Sequence, residues 1–474
     1  MEVPVFGILG IVLSLALLIA LAYRGWNVIV IGPICAMVGL LFGGLDAPLI
    51  ATYTQVFMPA LGNYLIKFFP LFLLGAVFGK LMDDSGCAQT IAHKIVEWTG
   101  KERAIIAIIL ACGVLTYGGV SLFVVAFAVF PVAMQMFREG NLPKRLIPAA
   151  IALGSFTFTM TALPGSPAIQ NAIPIPYFHT DTFAAPGLGV VAALVMFGCG
   201  SAWLMFRARR ARLAGEGYGD HSGYETTATD TTDTTPAPAG HMPTFAVAII
   251  PVLLVLALNF VFSKYVVPSM DTDYLALPKY GKTTVSAVGG IWSIILAMLI
   301  ACVVLIGLTW KRFKNVRQSV TDGALGSMLP ILNVGSEVAY GAVIASLASF
   351  LIVRDWLMTL TDNPVIGLAV VVNVLAGITG SSSGGMSIAL QAVGQTYFDL
   401  AQAAGINPQI LHRVATLASG GLDALPHSGA VITLLAICQM NHKQSYFDIF
   451  MVSVVFPLSS LLAVIILWSM FGTF

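Results

Sequence analysis

The strongest constraint on this chain is a pair of apolar runs, each broken at its centre. In the run from about Ile410 to Cys438, the stretch LASGGLDALPHSGAVI (Leu417–Ile432) gathers Gly420, Gly421, Asp423, Pro426 and His427 mid-span. An unbroken bilayer helix excludes such a cluster, because one ionisable group near its centre costs roughly 2.5–3.5 kcal/mol or more. Its twin is GSFTFTMTALPGSPAI (Gly154–Ile169). Ala162-Leu163-Pro164 returns as Ala424-Leu425-Pro426, Ser166 as Ser428 and Ala168 as Ala430, all at an offset of 262. Two Gly/Pro-interrupted hydrophobic segments at matching places in two halves point to the binding site of a secondary transporter.

The surroundings agree. Hydrophobic residues make up 58% of the chain and charged residues 9%, against about 25% charged in soluble domains. Apolar runs of about 20 residues recur throughout, each able to cross about 30 Å of hydrocarbon. This is a polytopic membrane protein. A net charge of +1 gives no reason to expect a nucleic-acid partner. Six scattered cysteines, with no C-x-x-C and no metal-ligand spacing, are read as small core residues, and no metal or other cofactor is expected. The first span, about Val3–Tyr23, lacks a basic leader and a cleavage site, so it is expected to be a retained helix and not a signal peptide.

Two further stretches break an apolar run with a glycine-rich centre. Ala104–Phe137 carries Tyr117-Gly118-Gly119-Val120-Ser121 between Arg103 and Arg138, and the second half carries Thr379-Gly380-Ser381-Ser382-Ser383-Gly384-Gly385. Both predict re-entrant hairpins, since broken backbone survives in a bilayer only where protein or a polar cavity surrounds it. The alternative for each is two short helices joined by a buried turn. Arg207–Pro243 opens with four arginines and passes into a Thr/Asp/Gly tract unable to bury a core. The predicted organisation is a first repeat over residues 1–206, a flexible cytoplasmic linker over 207–243 and a second repeat over 244–474. Each repeat supplies five transmembrane helices and one hairpin. An odd number of spans inverts the second repeat relative to the first. With the linker arginines cytoplasmic, Arg24, Lys101, Arg103, Arg138, Lys144, Arg145, Lys311, Arg312, Lys314, Arg317 and Lys443 join them, as the positive-inside rule requires of a multi-pass inner-membrane protein.

ALPGSPAIQNAIP, SSSGGMSIAL and SGGLDALPHSGAVITLLAICQM together resemble the gluconate permease family of proton symporters, part of the ion-transporter superfamily. Within that family the LPG-S-P-x-I-QN and LD-x-LPH patterns are similar to those of 3-hydroxybutyrate-type permeases. The resemblance covers nearly the whole chain outside the linker. It implies an elevator-type carrier with a scaffold domain, a mobile transport domain and a homodimeric assembly.

Site chemistry can be argued from the residues themselves. Helix N-termini bear about half a positive charge and unsatisfied N–H groups, and they hold carboxylates. Gly118, Gly119 and Gly384 allow backbone to approach an anion. Ser121, Ser166, Ser381, Ser382, Ser383 and Ser428 add hydroxyls for a carboxylate and a substrate hydroxyl. The competing reading has these serines back-bonding to helix carbonyls and the glycines permitting close packing. Desolvation disfavours a charged carboxyl, so Asp423 is the first candidate for a coupling proton, with His427 four residues on and Glu337 as further candidates. A cap or hydroxyl partner is the alternative for His427, and a structural hydrogen bond for Glu337. Arg413 is expected to be an interfacial anchor. The preferred function is proton-coupled symport of a small hydroxy monocarboxylate of the 3-hydroxybutyrate or gluconate type. A Na⁺-coupled carboxylate carrier is the alternative, and an intramembrane hydrolase using Asp423, His427 and Ser428 a remote third. Adjacent His427 and Ser428 would point about 100° apart on a helix, and the repeat has no role in an enzyme.

Overall fold

A computed structural model describes residues 3–24, 26–42, 48–100, 103–219, 242–350, 352, 361–426 and 428–474. His427, linker residues 220–241 and most of the polar stretch 354–363 lie outside the described residues. Every regular element described is helical. Among the described residues, six helices are long and apolar enough to cross a membrane: α3 (Leu49–Asp84), α11 (Pro186–Leu213), α12 (Phe245–Ser269), α13 (Val285–Arg312), α14 (Val316–Ala345) and α19 (His442–Phe471). The chain is an all-α, multi-pass membrane protein.

Around these run α1 (Val3–Tyr23), α2 (Val28–Leu41) and the amphipathic α4 (Cys87–Thr99). α5 (Ala104–Tyr117) and α6 (Leu122–Glu139) form the first hairpin. The first broken segment comprises α7 (Ile147–Ser155), α8 (Phe158–Thr161), α9 (Ile169–Ala172) and α10 (Ile175–Phe178). α15 (Pro364–Thr379) and α16 (Ser382–Ala403) form the second hairpin, and α17 (Pro408–Ser419) and α18 (Gly429–Ile437) flank the second break. Element bounds in the two halves run in parallel: α5, α6 and α7 correspond to α15, α16 and α17 within about two residues of the offset seen in the sequence, and α19 takes the place of α11.

Three long helices carry a π turn, at Tyr53–Phe57, Phe262–Val266 and Met451–Val455, and a proline follows each within two residues (Pro59, Pro268, Pro457). Proline lacks an N–H and its ring presses on the carbonyl one turn back. A widened turn accommodates that carbonyl without ending the helix. α11 also runs further than its apolar pattern, through Arg207, Arg209, Arg210 and Arg212 to Leu213. Arginine is a good helix former, its aliphatic stem lies along the helix, and cations suit a helix C-terminus.

α3 packs along α14, α2 lies on α14, and α12 and α13 pair beside α3. Both hairpins pack on the first arms of the broken segments, α5 and α6 on α7, α15 and α16 on α17, while α11 pairs with α19. Contacts of α14 with α16 and of α10 with α13 join the two groups.

One ionic node ties the ends of several helices together. Asp448, 1% exposed, accepts hydrogen bonds from Arg145 Nη1 (2.9 Å), Arg207 Nε (2.8 Å) and Trp203 Nε1 (3.0 Å). Arg145 also grips Glu216, just beyond α11, through Nε (2.6 Å) and Nη2 (2.9 Å). That grip holds the Glu216 carboxyl below its ordinary range. A depressed acid contributes stability above its unfolded value and loses it as pH falls through the folded one, so this fastening stays closed at neutral pH and opens only in acid. Asp448→Ala, which strips both arginines of their shared acceptor, should cost on the order of 3 kcal/mol in detergent unfolding. Glu216→Gln, at an exposed pair, should cost less than about 1 kcal/mol. Equal losses in the two variants would dismiss Asp448 as the centre of the node.

Candidate functional site

The first hairpin turns on Gly119, whose φ of +93° is a conformation that side chains resist. Ser121 then opens α6 in extended conformation, and its hydroxyl makes no capping bond. Tyr117 Oη donates to the Pro164 carbonyl at 2.7 Å, which fixes this tip against the first break. Gly119 faces Pro167, Gly118 backs onto Val252 of α12, and Gly79 of α3 lies against the Ser121 backbone.

The second tip is shorter than the sequence suggests. Only Gly380 (φ +63°) and Ser381 form the turn, and Ser382, Ser383, Gly384 and Gly385 already belong to α16. Capping accounts for this: the Ser381 hydroxyl accepts the Gly384 N–H at 3.1 Å and so starts the helix early. The Ser382 hydroxyl pairs with that of Ser419 at the end of α17 (2.8 Å). Gly384 lies under the Glu337 carboxyl, and a Cβ there would overlap Oε2. Glu337 is 7% exposed, and its Oε2 has no hydrogen-bond partner.

In the first break a polar lattice replaces helix bonds. Asn171 Nδ2 donates to the carbonyls of Ser166 (3.0 Å) and Thr182 (2.9 Å), and Asn259 Nδ2 to the Gly165 carbonyl (3.0 Å). His412 joins Asn171 Oδ1 through Nε2 (3.2 Å) and Thr180 through Nδ1 (2.6 Å). Because Asn171 Oδ1 only accepts, His412 Nε2 carries a proton and donates to it. Ser166 is fully buried and engaged within its own turn, its hydroxyl accepting the Ala168 N–H.

In the second break, Tyr446 Oη donates to the Ala424 carbonyl (3.1 Å) and His442 Nε2 to that of Pro426 (2.9 Å). Asp423 is half-buried, its carboxyl beside its own N–H and that of Ala424. Ser428 is buried and begins α18 without a side-chain cap bond.

The pieces meet in one chain of contacts. The first tip touches the first break through Tyr117, and the second tip touches the end of α17 through Ser382. The breaks touch each other where Gly420 lies on Thr161, so close that a Cβ would stand 2.8 Å from Cγ2. Half-helix α9 packs on α16, and α18 packs on α6. The sequence candidates therefore gather around the tips and breaks, while Ser166 is occupied in its own turn.

Arg413 corrects its expectation as an interfacial anchor. It is fully buried, with Nε and Nη2 donating to the Ala184 carbonyl (3.0 and 2.7 Å) and Nη1 to that of Thr161 (3.5 Å). Thr161 ends α8 at the first break and Ala184 lies in the loop before α11, so both acceptors come from places where helix bonding is interrupted. Two polar residues beside Glu337 were not among the sequence candidates: Tyr64 of α3, 4% exposed, and Ser387 of α16, 2% exposed. A lone tyrosine or serine in an apolar span gives no signal of its own.

A cavity of about 500 Å³ opens at the Asp448 node, lined by Lys144, Arg145, Arg207 and Lys443 among others, and no hairpin-tip residue borders it.

Comparison with known proteins places the chain among transporters. The uncharacterized transporter YxjC of Bacillus subtilis is 41% identical over 467 residues, 98% of each chain. The high-affinity gluconate transporter of Escherichia coli is 30% identical over 145 residues, 29% of this chain and 32% of that one. An uncharacterized transporter of Haemophilus influenzae is 28% identical over 123 residues, 26% of this chain and 28% of that one. These relatives are transporters, so this protein is a permease and not an enzyme, and the hydrolase reading of Asp423, His427 and Ser428 falls. Residues 5–470 match the description "GntP family permease", and the chain belongs to that family.

Proposed function

We propose that this permease is a proton-coupled symporter of a small hydroxy monocarboxylate, of the 3-hydroxybutyrate or gluconate type, in the inner membrane. One observation carries the reading: two hairpin tips and two helix breaks, where new helices begin with N–H groups that have no intrahelical acceptor, join in a single chain of contacts. Such N–H groups suit a carboxylate. Gly118, Gly119, Ser121, Ser381, Ser382, Ser383, Gly384 and Ser428 are its proposed contacts, with Ser166 in support. Asp423, Glu337 and His427 are the proposed proton carriers.

The parallel element bounds support two inverted repeats, 1–206 and 244–474, with re-entrant hairpins. The cavity lined by Lys144, Arg145, Arg207 and Lys443 supports one cytoplasmic side for all four. The helices grouped around α3 and α14 suit a dimeric scaffold, and the hairpins with the broken segments suit the moving body of an elevator.

Proteoliposomes should accumulate labelled 3-hydroxybutyrate or gluconate when an inward pH gradient is imposed, and should lose that accumulation with a protonophore. Accumulation that follows a Na⁺ gradient and ignores the protonophore would replace this reading with the cation-coupled one.

A further inference from the structure

Three buried hydroxyl or carboxyl oxygens from three helices converge beneath the second hairpin tip. Tyr64 Oη lies beside Ser387 and Glu337, and Glu337 beside Ser381, yet Tyr64 Oη, Glu337 Oε2 and Ser387 Oγ all fall short of good hydrogen-bond geometry. Each belongs to a residue more than nine-tenths buried. A buried polar oxygen without a partner is costly, and more so when charged, so this cluster is suited to receive a proton or another polar group. The carboxyl is also aimed at a particular place. Glu337 Oε2 sits at Gly384, in the first turn of α16, where Ser381 takes the Gly384 and Gly385 N–H groups and the N–H groups of Ser382 and Ser383, at the very start of the helix, have no intrahelical acceptor. One anion can neutralise that helix end, and Glu337 already reaches it.

We propose that the Glu337 carboxylate and the carboxylate of the substrate compete for the N-terminal turn of α16, and that a proton on Glu337, received by Tyr64 and Ser387, releases the turn to the substrate. This inference rests on the symport reading above and names the residue through which coupling runs. The step balances simply. A proton from the aqueous side neutralises the Glu337 carboxylate, and the substrate anion replaces that negative charge at the helix end. The loaded site then carries no more net charge than the empty one. On the other side the substrate leaves, and the proton follows as Glu337 returns to Gly384.

The surroundings allow Glu337 this role. α3 contributes Tyr64, and beyond it Lys67 sits over the Tyr177 ring of α10, 5.6 Å from its centroid. On the α2 side the Cys35 thiol faces Tyr340, one turn along from Glu337. α16 contributes Ser381 and Ser387. None of these groups is a carboxylate partner or an arginine that would hold Glu337 permanently charged.

The test uses full-length protein in detergent and in proteoliposomes, with 3-hydroxybutyrate and gluconate as probes. Binding of the accepted probe to the parent should draw one proton from weakly buffered medium, and affinity should weaken by up to about tenfold per pH unit as pH rises, the slope for one linked proton. Glu337→Gln should bind the probe with pH-independent affinity and exchange it across the membrane, yet fail to accumulate it under a pH gradient. Glu337→Asp should keep the pH dependence. Tyr64→Phe and Ser387→Ala should shift its midpoint. The inference is overturned if the parent binds without proton uptake, if Glu337→Gln keeps gradient-driven accumulation, or if it binds at no pH while Glu337→Asp binds normally. If Asp423→Asn abolishes accumulation and Glu337→Gln does not, symport stands and the coupling site moves to the second break. A parent indifferent to pH gradients removes the symport reading itself.

Discussion

Gly384→Val is expected to abolish uptake, by at least a hundredfold in initial rate, while the protein still inserts and purifies as a single species. The added side chain would occupy the space where Glu337 Oε2 meets the first turn of α16. A flexible carboxyl can swing aside, so the fold survives, but the helix end is then covered by an isopropyl group. The neighbouring glycine should behave differently. A Cβ at Gly385 would meet the Ala376 backbone in the opposite arm of the hairpin, which has nowhere to go. Gly385→Val should therefore reduce folded protein in the membrane, since overpacking against a rigid partner costs about 1–3 kcal/mol or more. In the first hairpin, Gly119→Val should resemble Gly384→Val in transport, with some added strain from its positive φ. Initial rates normalised to folded protein separate the two outcomes. Normal rates in both Gly119→Val and Gly384→Val would move substrate binding away from the tips.

Removing the guanidinium of Arg413 should be the most destabilising single change in the second half. Arg413→Ala orphans the Ala184 carbonyl and weakens the tie to Thr161, at about 1–3 kcal/mol for each lost acceptor pairing, and it leaves a cavity. A loss of about 3–5 kcal/mol is expected, read as earlier thermal unfolding in detergent. Lysine should rescue little, because one ammonium cannot reproduce a planar fork spanning two carbonyls. Gly189 reinforces the point. A Cβ there would stand 3.1 Å from Arg413 Nε, so the packing is built around this side chain. Unfolding of Arg413→Ala indistinguishable from the parent would show that water takes over the guanidinium's bonds.

Hairpins and breaks were legible because glycine, proline and capping serine act locally. Gly118-Gly119 and Gly380-Ser381 locate both turns within a residue or two, and Pro164 and Pro426 locate both breaks. The separation of α7 from α8 was not legible. Phe156 and Thr157 are neither glycine nor proline, and the helix opens there as Thr157, Thr159 and Thr161 return their hydroxyls to the carbonyls of Leu153, Gly154 and Thr157. Arg413 was misplaced for a similar reason. Hydropathy puts an arginine at the end of a span, whereas its acceptors are carbonyls at the first break and in the loop before α11, more than 200 residues earlier in the chain. Glu337 was recognised as a candidate from its place in an apolar span alone. Its pairing with Gly384 depends on how α14 packs on α16, which no local pattern encodes.

The crossed packing of the half-helices bears on how the protein is made. α6 is complete once residue 139 has been synthesised, but α18, which leans on it, begins only at Gly429, and α9 waits similarly for α16. Contacts so remote in sequence form late and leave apolar or half-paired surfaces waiting for their partners. The first hairpin must therefore be held in the membrane, unfinished, while most of the chain is still on the ribosome. The two halves produced as separate polypeptides should be degraded when expressed singly and should survive only when they meet in the same bilayer.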